Sequence, residues 1–223
     1  MSLEHLGIIA DGNRRWAKAN GLPTIEGHKR GLDTIELITE AADKADIRFV
    51  TFYVFSTENW GRSKDEVNYI MKLAETRILK YAEKLAAKNA RMLILGSREK
   101  IGPKLASALD KAEKITENCT GITVCFCFNY GGEKEIADAV NMALENGEEI
   151  TPESIRKHLY HPEVPDIDMV VRTSGEERIS GFMLWRASYA EFLFIKKYFP
   201  EMNETDIADI IAEYNKRNRR FGK

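Results

Sequence analysis

Six short runs of the 223-residue chain are apolar almost without interruption, at residues 5–10, 48–55, 91–95, 121–128, 168–171 and 192–195. A sheet with one wet face shows alternating polar and apolar residues, whereas near-continuous runs describe strands buried on both faces. Between them lie segments with helical apolar spacing, at 29–44, 64–88, 99–117 and 133–145. Strands alternating with helices are joined by right-handed crossovers. This order predicts an α/β fold with a mainly parallel central sheet flanked by helices on both sides. Ser63 followed by Glu66 reads as a capping box, and Thr151-Pro152-Glu153 opens a short helix. Residues 204–218 read as an amphipathic helix leading into the basic end KRNRRFGK.

A chain of this length, 43% hydrophobic and 30% charged, can bury one substantial core, so a single domain over 1–223 is expected. No window approaches the roughly 18 apolar residues that span a bilayer, and no basic-then-apolar secretory pattern opens the sequence, so a cytoplasmic protein is expected. With 33 basic and 35 acidic residues the net charge is −2, which argues against nucleic acid as a partner and makes any anion site a local one. Cys119, Cys125 and Cys127 have neither metal-site spacing nor an even count. Cys125 and Cys127 lie two apart on an expected strand, hence on one face, and read as plain buried thiols.

In open parallel sheets ligands bind beyond the carboxyl ends of the strands, so the residues following each apolar run matter most. After the first come Asp11-Gly12-Asn13-Arg14-Arg15; after the second, Ser56-Thr57-Glu58-Asn59-Trp60-Gly61-Arg62. Asn129-Tyr130-Gly131-Gly132 follow the fourth, and the run from Arg172 to Ser180 follows the fifth. A parallel sheet would bring all four clusters to one rim. Arg15, Arg62, Arg172 and Arg178 suit phosphate oxygens, since guanidinium forks bind them in bidentate fashion. Asp11, with Glu58 or Glu191, would repel a phosphate unless a divalent cation stood between, and magnesium is commonly held by one or two carboxylates plus substrate phosphates. Each residue also has a plainer reading: Asp11 as a helix N-cap, the arginines as solvated loop residues, His28 as a structural histidine, Trp60 as a surface anchor. Convergence of four clusters on one rim favours a diphosphate site. There is no GxxxxGK[ST] loop and no GxGxxG after the first strand, so P-loop and dinucleotide readings fail.

The blocks GIIADGNRRWAK…GHKRG, FYVFSTENWGRSKDEV, FNYGGEKEI, VVRTSGEERISGFMLW and SYAEFLF, with RFG at Arg220-Phe221-Gly222, resemble the motif blocks of the cis-prenyltransferases, the undecaprenyl diphosphate synthase family. The resemblance covers nearly the whole chain. It implies that family's fold with a hydrophobic tunnel, and magnesium-dependent addition of isopentenyl diphosphate to an allylic prenyl diphosphate with new cis double bonds. The expected product is an undecaprenyl-like or somewhat shorter polyprenyl diphosphate, precursor of a glycosyl carrier lipid. By position in the blocks, Asp11 matches the catalytic aspartate and magnesium ligand, and Glu191 a second magnesium ligand. Gly12, Asn13, Arg14, Arg15 and Trp16 match the allylic diphosphate loop, with His28, Ser56, Thr57 and Glu58 continuing it. Asn59 matches a proposed proton acceptor, Trp60 and Arg62 a lid-like segment, and Arg172, Arg178, Ile179 and Ser180 the isopentenyl diphosphate site. A homodimer, with the RFG tail reaching a neighbouring site, and peripheral membrane contact by an enzyme with an oily product are also implied.

The chain departs from the family pattern in three respects. Thr24 stands in LPTIEGH where many members carry arginine, a loss that Lys29 or Arg30 would partly make good. Glu177 replaces a common histidine, and Val54, Phe126 and Phe128 are bulkier than usual tunnel residues, which points to a shortened product unless one phenylalanine packs against a helix. Two other functions compete. A non-catalytic partner subunit would be expected to have lost Asp11, Asn59, Arg172 and Arg178, and a phosphatase-like hydrolase would need an activated nucleophile.

Overall fold

The computed structural model describes residues 2–217. Arg220-Phe221-Gly222 lie outside the described residues. Six strands, β1 (His5–Ile9), β2 (Phe49–Ser56), β3 (Arg91–Leu95), β4 (Thr123–Tyr130), β5 (Met169–Arg172) and β6 (Glu191–Phe194), form one sheet in the order β3-β4-β2-β1-β5-β6. Every neighbouring pair is parallel. The six apolar runs therefore mark the six strands to within two residues.

Seven helices connect and flank the strands: α1 (Asn13–Ala19), α2 (Thr24–Lys44), α3 (Lys64–Ala87), α4 (Pro103–Thr116), α5 (Gly132–Glu145), α6 (Pro152–His158) and α7 (Glu204–Asn215). Side chains alternate across β4. Val124, Phe126 and Phe128 face the core built with α2, α3, α4 and α7, while Cys125 and Cys127 face a second core with Phe182, Met183 and Val164. Both thiols are free and fully buried, and desolvation pushes Cys125 up to about 12, so neither is a nucleophile.

Sequence spacing misplaced two boundaries. α1 was not among the segments with helical spacing, and α2 begins at Thr24 instead of residue 29; the residue at the N-cap of α1 is Gly12, not Asp11. A Cβ at Gly27 would lie 2.1 Å from the Asn13 carbonyl oxygen, so the missing side chain is what lets α1 pack on α2. The capping box at Ser63 is half-formed. Ser63 Oγ accepts from the Glu66 N–H at 3.4 Å, but the Glu66 side chain is held by Arg62, His28 and Arg14.

Along α3 the apolar residues Ile70, Leu73, Ala74 and Ile78 follow helical spacing, but they border a cavity of about 490 Å³. Its other walls are Leu32 and Ile35 of α2, Ile94 of β3, and Phe126 and Phe128 of β4. Both phenylalanines line the cavity, because residues two apart on a strand share a face. Val54 joins them at a β-bulge near the end of β2, where an irregular register re-aims the side chain.

Candidate active site

At the carboxyl ends of β1, β2 and β5 three of the four polar clusters meet around a second cavity, of about 870 Å³; the cluster after β4 and Arg178 do not line it. Asp11, Gly12, Asn13, Arg14, Arg15, His28, Ser56, Asn59, Arg62, Arg172 and Ser180 line it. It adjoins the apolar cavity through Ala10, Asn13, Leu22, His28 and Val54, which border both.

Asp11 and Arg172 form its centre. Arg172 follows Val171 at the end of β5 with its side chain only 6% exposed. It donates to Asp11 Oδ2 at 2.8 Å, to Ser180 Oγ at 2.9 Å and to the Arg178 carbonyl at 2.5 Å. The Gly12 N–H reaches Asp11 Oδ1 at 2.6 Å, and Arg15 lies 3.3 Å from the same oxygen. Burial pushes the Asp11 carboxyl up, but the hydrogen bond and charge of Arg172, the Gly12 N–H and Arg15 outweigh it and hold the group below its ordinary value. Asp11 is thus an ionised carboxylate within a ring of cations. Gly12 must be glycine: its φ is +98°, and a Cβ would lie 2.7 Å from Tyr198 and 2.9 Å from Ser174.

Thr173 fixes the junction between β1 and β5. Its hydroxyl accepts from the Asp11 N–H at 2.9 Å and donates to the Asp11 carbonyl at 2.7 Å. Arg15 crosses to the same side, donating to Ser174 Oγ and to Glu176 at 2.8 Å, with its guanidinium 5.9 Å from the Tyr198 ring. Glu176 also takes Arg178 at 2.6 Å. Glu66, on α3, gathers Arg62 at 3.0 Å, His28 at 3.4 Å and Arg14 at 3.6 Å. Burial lowers the His28 pKa against the pull of Glu66, which favours the neutral ring. Thr173, Ser174, Glu176 and Glu66 were not read as site residues in the sequence. Only Glu66, four residues after Arg62 on a helix, carried a local signal.

Other sequence-predicted residues sit differently. The Asn59 side-chain oxygen accepts the Ser56 N–H at 3.1 Å, so its amide already braces the short 3₁₀ turn Thr57–Gly61. Thr57, Glu58 and Trp60 are on that turn but outside the cavity wall; Thr57 donates to Glu58 at 2.8 Å, and Trp60 donates to Asn129 at 2.7 Å while packing on Phe55. Trp16 borders the apolar cavity, and Ile179 packs into the second core. Lys29 and Arg30 border the apolar cavity and not the polar one, where Lys18 and Thr24 are found. Glu177 is exposed.

The structure does not bring Asp11 and Glu191 together. Glu191 pairs in register with Met169, which pairs with Leu6, so it sits at the amino ends of the strands. Asp11 lies beyond their carboxyl ends, on the order of 10–15 Å further along the strand direction. Glu191 is instead held by Arg217 at 3.0 Å. Among the described residues no cluster of three potential metal ligands occurs.

The model of the family described as "Putative undecaprenyl diphosphate synthase" matches residues 9–222. The chain is 41% identical to the (2E,6E)-farnesyl-diphosphate-specific ditrans,polycis-undecaprenyl-diphosphate synthase of Micrococcus luteus, over 98% of this chain and 91% of that one. This chain belongs to the undecaprenyl diphosphate synthase family. An isoprenyl transferase of Thermotoga maritima is also 41% identical, over 98% of this chain and 96% of the relative. Among solved structures, lavandulyl diphosphate synthase from Lavandula x intermedia, in complex with dimethylallyl diphosphate, superposes with a TM-score of 0.93 at 30% identity, covering 99% of this chain and 98% of that one. A probable undecaprenyl diphosphate synthase from Campylobacter jejuni superposes with a TM-score of 0.87 at 30% identity, over the whole of both chains. The protein is therefore an isoprenyl transferase with the cis-prenyltransferase fold.

Proposed function

We propose that the chain extends an allylic prenyl diphosphate with isopentenyl diphosphate units, in a magnesium-dependent reaction, to give a polyprenyl diphosphate that is undecaprenyl-like or somewhat shorter and serves as precursor of a glycosyl carrier lipid. The observation that carries this reading is the continuity of a cation-ringed cavity of about 870 Å³ with an apolar one of about 490 Å³. A diphosphate and a growing hydrocarbon need such opposite environments side by side. The lavandulyl diphosphate synthase relative was solved with an allylic diphosphate, which supports the same substrate class.

Condensation breaks the allylic carbon–oxygen bond, forms a carbon–carbon bond to the isopentenyl unit and releases a proton from that unit. Charge therefore grows on the departing diphosphate, and Arg15, Arg14 and the Gly12 N–H line the cavity as donors that would turn to it from Glu176, Glu66 and Asp11, their partners in its absence. Arg172, Arg178 and Ser180 would hold the second diphosphate. Arg172 links the two through Asp11, so the nucleophilic carbon is held in register with the carbon it attacks. Asn59 is a poor base, and its oxygen already accepts the Ser56 N–H; its role is to orient the water or diphosphate oxygen that takes the proton.

Asp11 fits a magnesium ion carried in by the substrate: it is ionised, partly exposed and borders the diphosphate cavity. When bound, magnesium would neutralise the leaving diphosphate as a Lewis acid. Within one chain Glu191 is too far away to share that ion. A cytoplasmic homodimer in peripheral contact with a membrane is the setting we propose. The dimer and its compartment follow from the family resemblance; for membrane contact, Leu22, 41% exposed where the two cavities adjoin, offers an apolar side chain.

The test is incubation of purified protein with labelled isopentenyl diphosphate and, separately, geranyl, farnesyl and geranylgeranyl diphosphates, with the dephosphorylated products resolved by length. A ladder abolished by a chelator and restored by magnesium is expected. No product from any primer would favour a non-catalytic partner subunit.

A further inference from the structure

The apolar cavity does not end on an apolar wall. It runs from His28 to Glu36 along α2, about 12 Å of helix, and there meets a third cavity of about 330 Å³. The third cavity continues in the same direction along both helices, past Thr39 and Glu40 of α2 and Leu85 of α3, to Ala90 and Ile122. Glu36, Tyr81 and Lys84 border both spaces. Tyr81 is the side chain that divides them. It leaves α3 edge-on to Phe126 of β4, with ring centres 5.9 Å apart, and its phenol donates to Thr39 Oγ1 of α2 at 3.3 Å. One residue thus ties three elements together across the passage. The space beyond it is spanned by the Glu36–Lys84 and Glu40–Lys88 ion pairs, at 2.7 and 2.5 Å.

We infer that Tyr81, braced by Phe126 and Thr39, is the stop that sets product length in this chain, and that the third cavity is tunnel space closed off behind it. The inference rests on the chain-elongating function proposed above. A growing hydrocarbon gains by leaving water for the apolar cavity until its tip meets the Tyr81 ring. Further growth must push that ring off Phe126 and break its hydrogen bond, in a packed setting that resists overfilling.

The test compares product ladders from wild-type protein and three variants under one set of conditions. Tyr81→Ala should join the two cavities and lengthen the longest major product by at least one isoprene unit. Tyr81→Phe keeps the ring on Phe126 and loses only the hydrogen bond to Thr39, so it should lengthen the ladder less than Tyr81→Ala does. Ala90→Leu, which fills space behind the stop, should not alter the wild-type ladder but should cancel the lengthening when combined with Tyr81→Ala. Should Tyr81→Ala fail to fold by circular dichroism, Phe126→Ala opens the same partition from the strand side, with the same lengthening expected. An unchanged ladder from a folded Tyr81→Ala, or from Phe126→Ala in its place, overturns the inference while leaving the elongation function intact. Shortening by Ala90→Leu alone also overturns it, since the third cavity would already be in use. No ladder from the wild type would overturn both.

Discussion

At the residue scale the proposed reaction turns on Asp11 and the arginines around it. Asp11→Asn keeps the size and removes the charge; it should lower turnover by about 10²–10³, the loss typical of one preorganised electrostatic group, without unfolding the protein. Arg178 is different in kind. Its side chain is 60% exposed and its partner Glu176 can release it, so Arg178→Ala should act mainly by raising the KM for isopentenyl diphosphate, by about tenfold, as the loss of one charge-assisted hydrogen bond would. Steady-state kinetics with each substrate varied in turn separates the two cases. A fall in kcat with unchanged KM for Arg178→Ala would move that residue from binding into the chemical step. The sequence showed which residue types gather at the rim, because each cluster follows an apolar run directly. It did not show the ion pairs. Glu176 lies 161 residues from Arg15, and no local pattern ties the two together.

At the element scale the strands were legible because burial on both faces writes itself as an unbroken apolar run, while α1 was hidden by Gly12, Gly21 and Pro23 around it. Gly27, in the first turn of α2, is a close-approach point and invites a direct test. Gly27→Ala places a methyl group against the Asn13 carbonyl, and should both lower thermal stability, by about 1–3 kcal/mol, and weaken allylic substrate binding as α1 is pushed off α2. Glu191 shows the opposite limit. The run it opens is legible, but whether a residue at the start of a strand reaches a site at the other end of the sheet is a matter of register, which only the structure supplies.

β1 carries a second consequence. His5 is fully buried at its start, its ring nitrogens on Thr51 Oγ1 at 2.7 Å and the Pro165 carbonyl at 2.9 Å, and desolvation lowers its pKa from 6.5 to about 4. Between those values the unfolded chain binds a proton that the folded one refuses. Stability is therefore complete above pH 6.5 and is lost as the pH falls toward 4. Urea denaturation at pH 7 and pH 5 should differ by on the order of 2 kcal/mol from this group. His5→Asn, which does not titrate, should flatten that dependence even though it costs stability at neutral pH.

At the scale of the whole molecule, an all-parallel sheet puts four chemically unlike loops on one rim, and two long helices that part from the sheet leave an apolar space beneath it. Composition required any anion site to be local, and the clusters after the apolar runs, with the strand order, pointed to its place. The tunnel was expected from the resemblance alone, because an apolar stripe facing a cavity and one facing a core look the same in sequence. The most direct test of this arrangement is a crystal structure with an unreactive thio-analogue of farnesyl diphosphate. The account predicts its diphosphate among Gly12, Arg14 and Arg15, and its hydrocarbon between α2 and α3 along Phe126 and Phe128, pointing toward Tyr81. A diphosphate bound away from Asp11, or a tail lying on the surface with the apolar cavity unfilled, would contradict it.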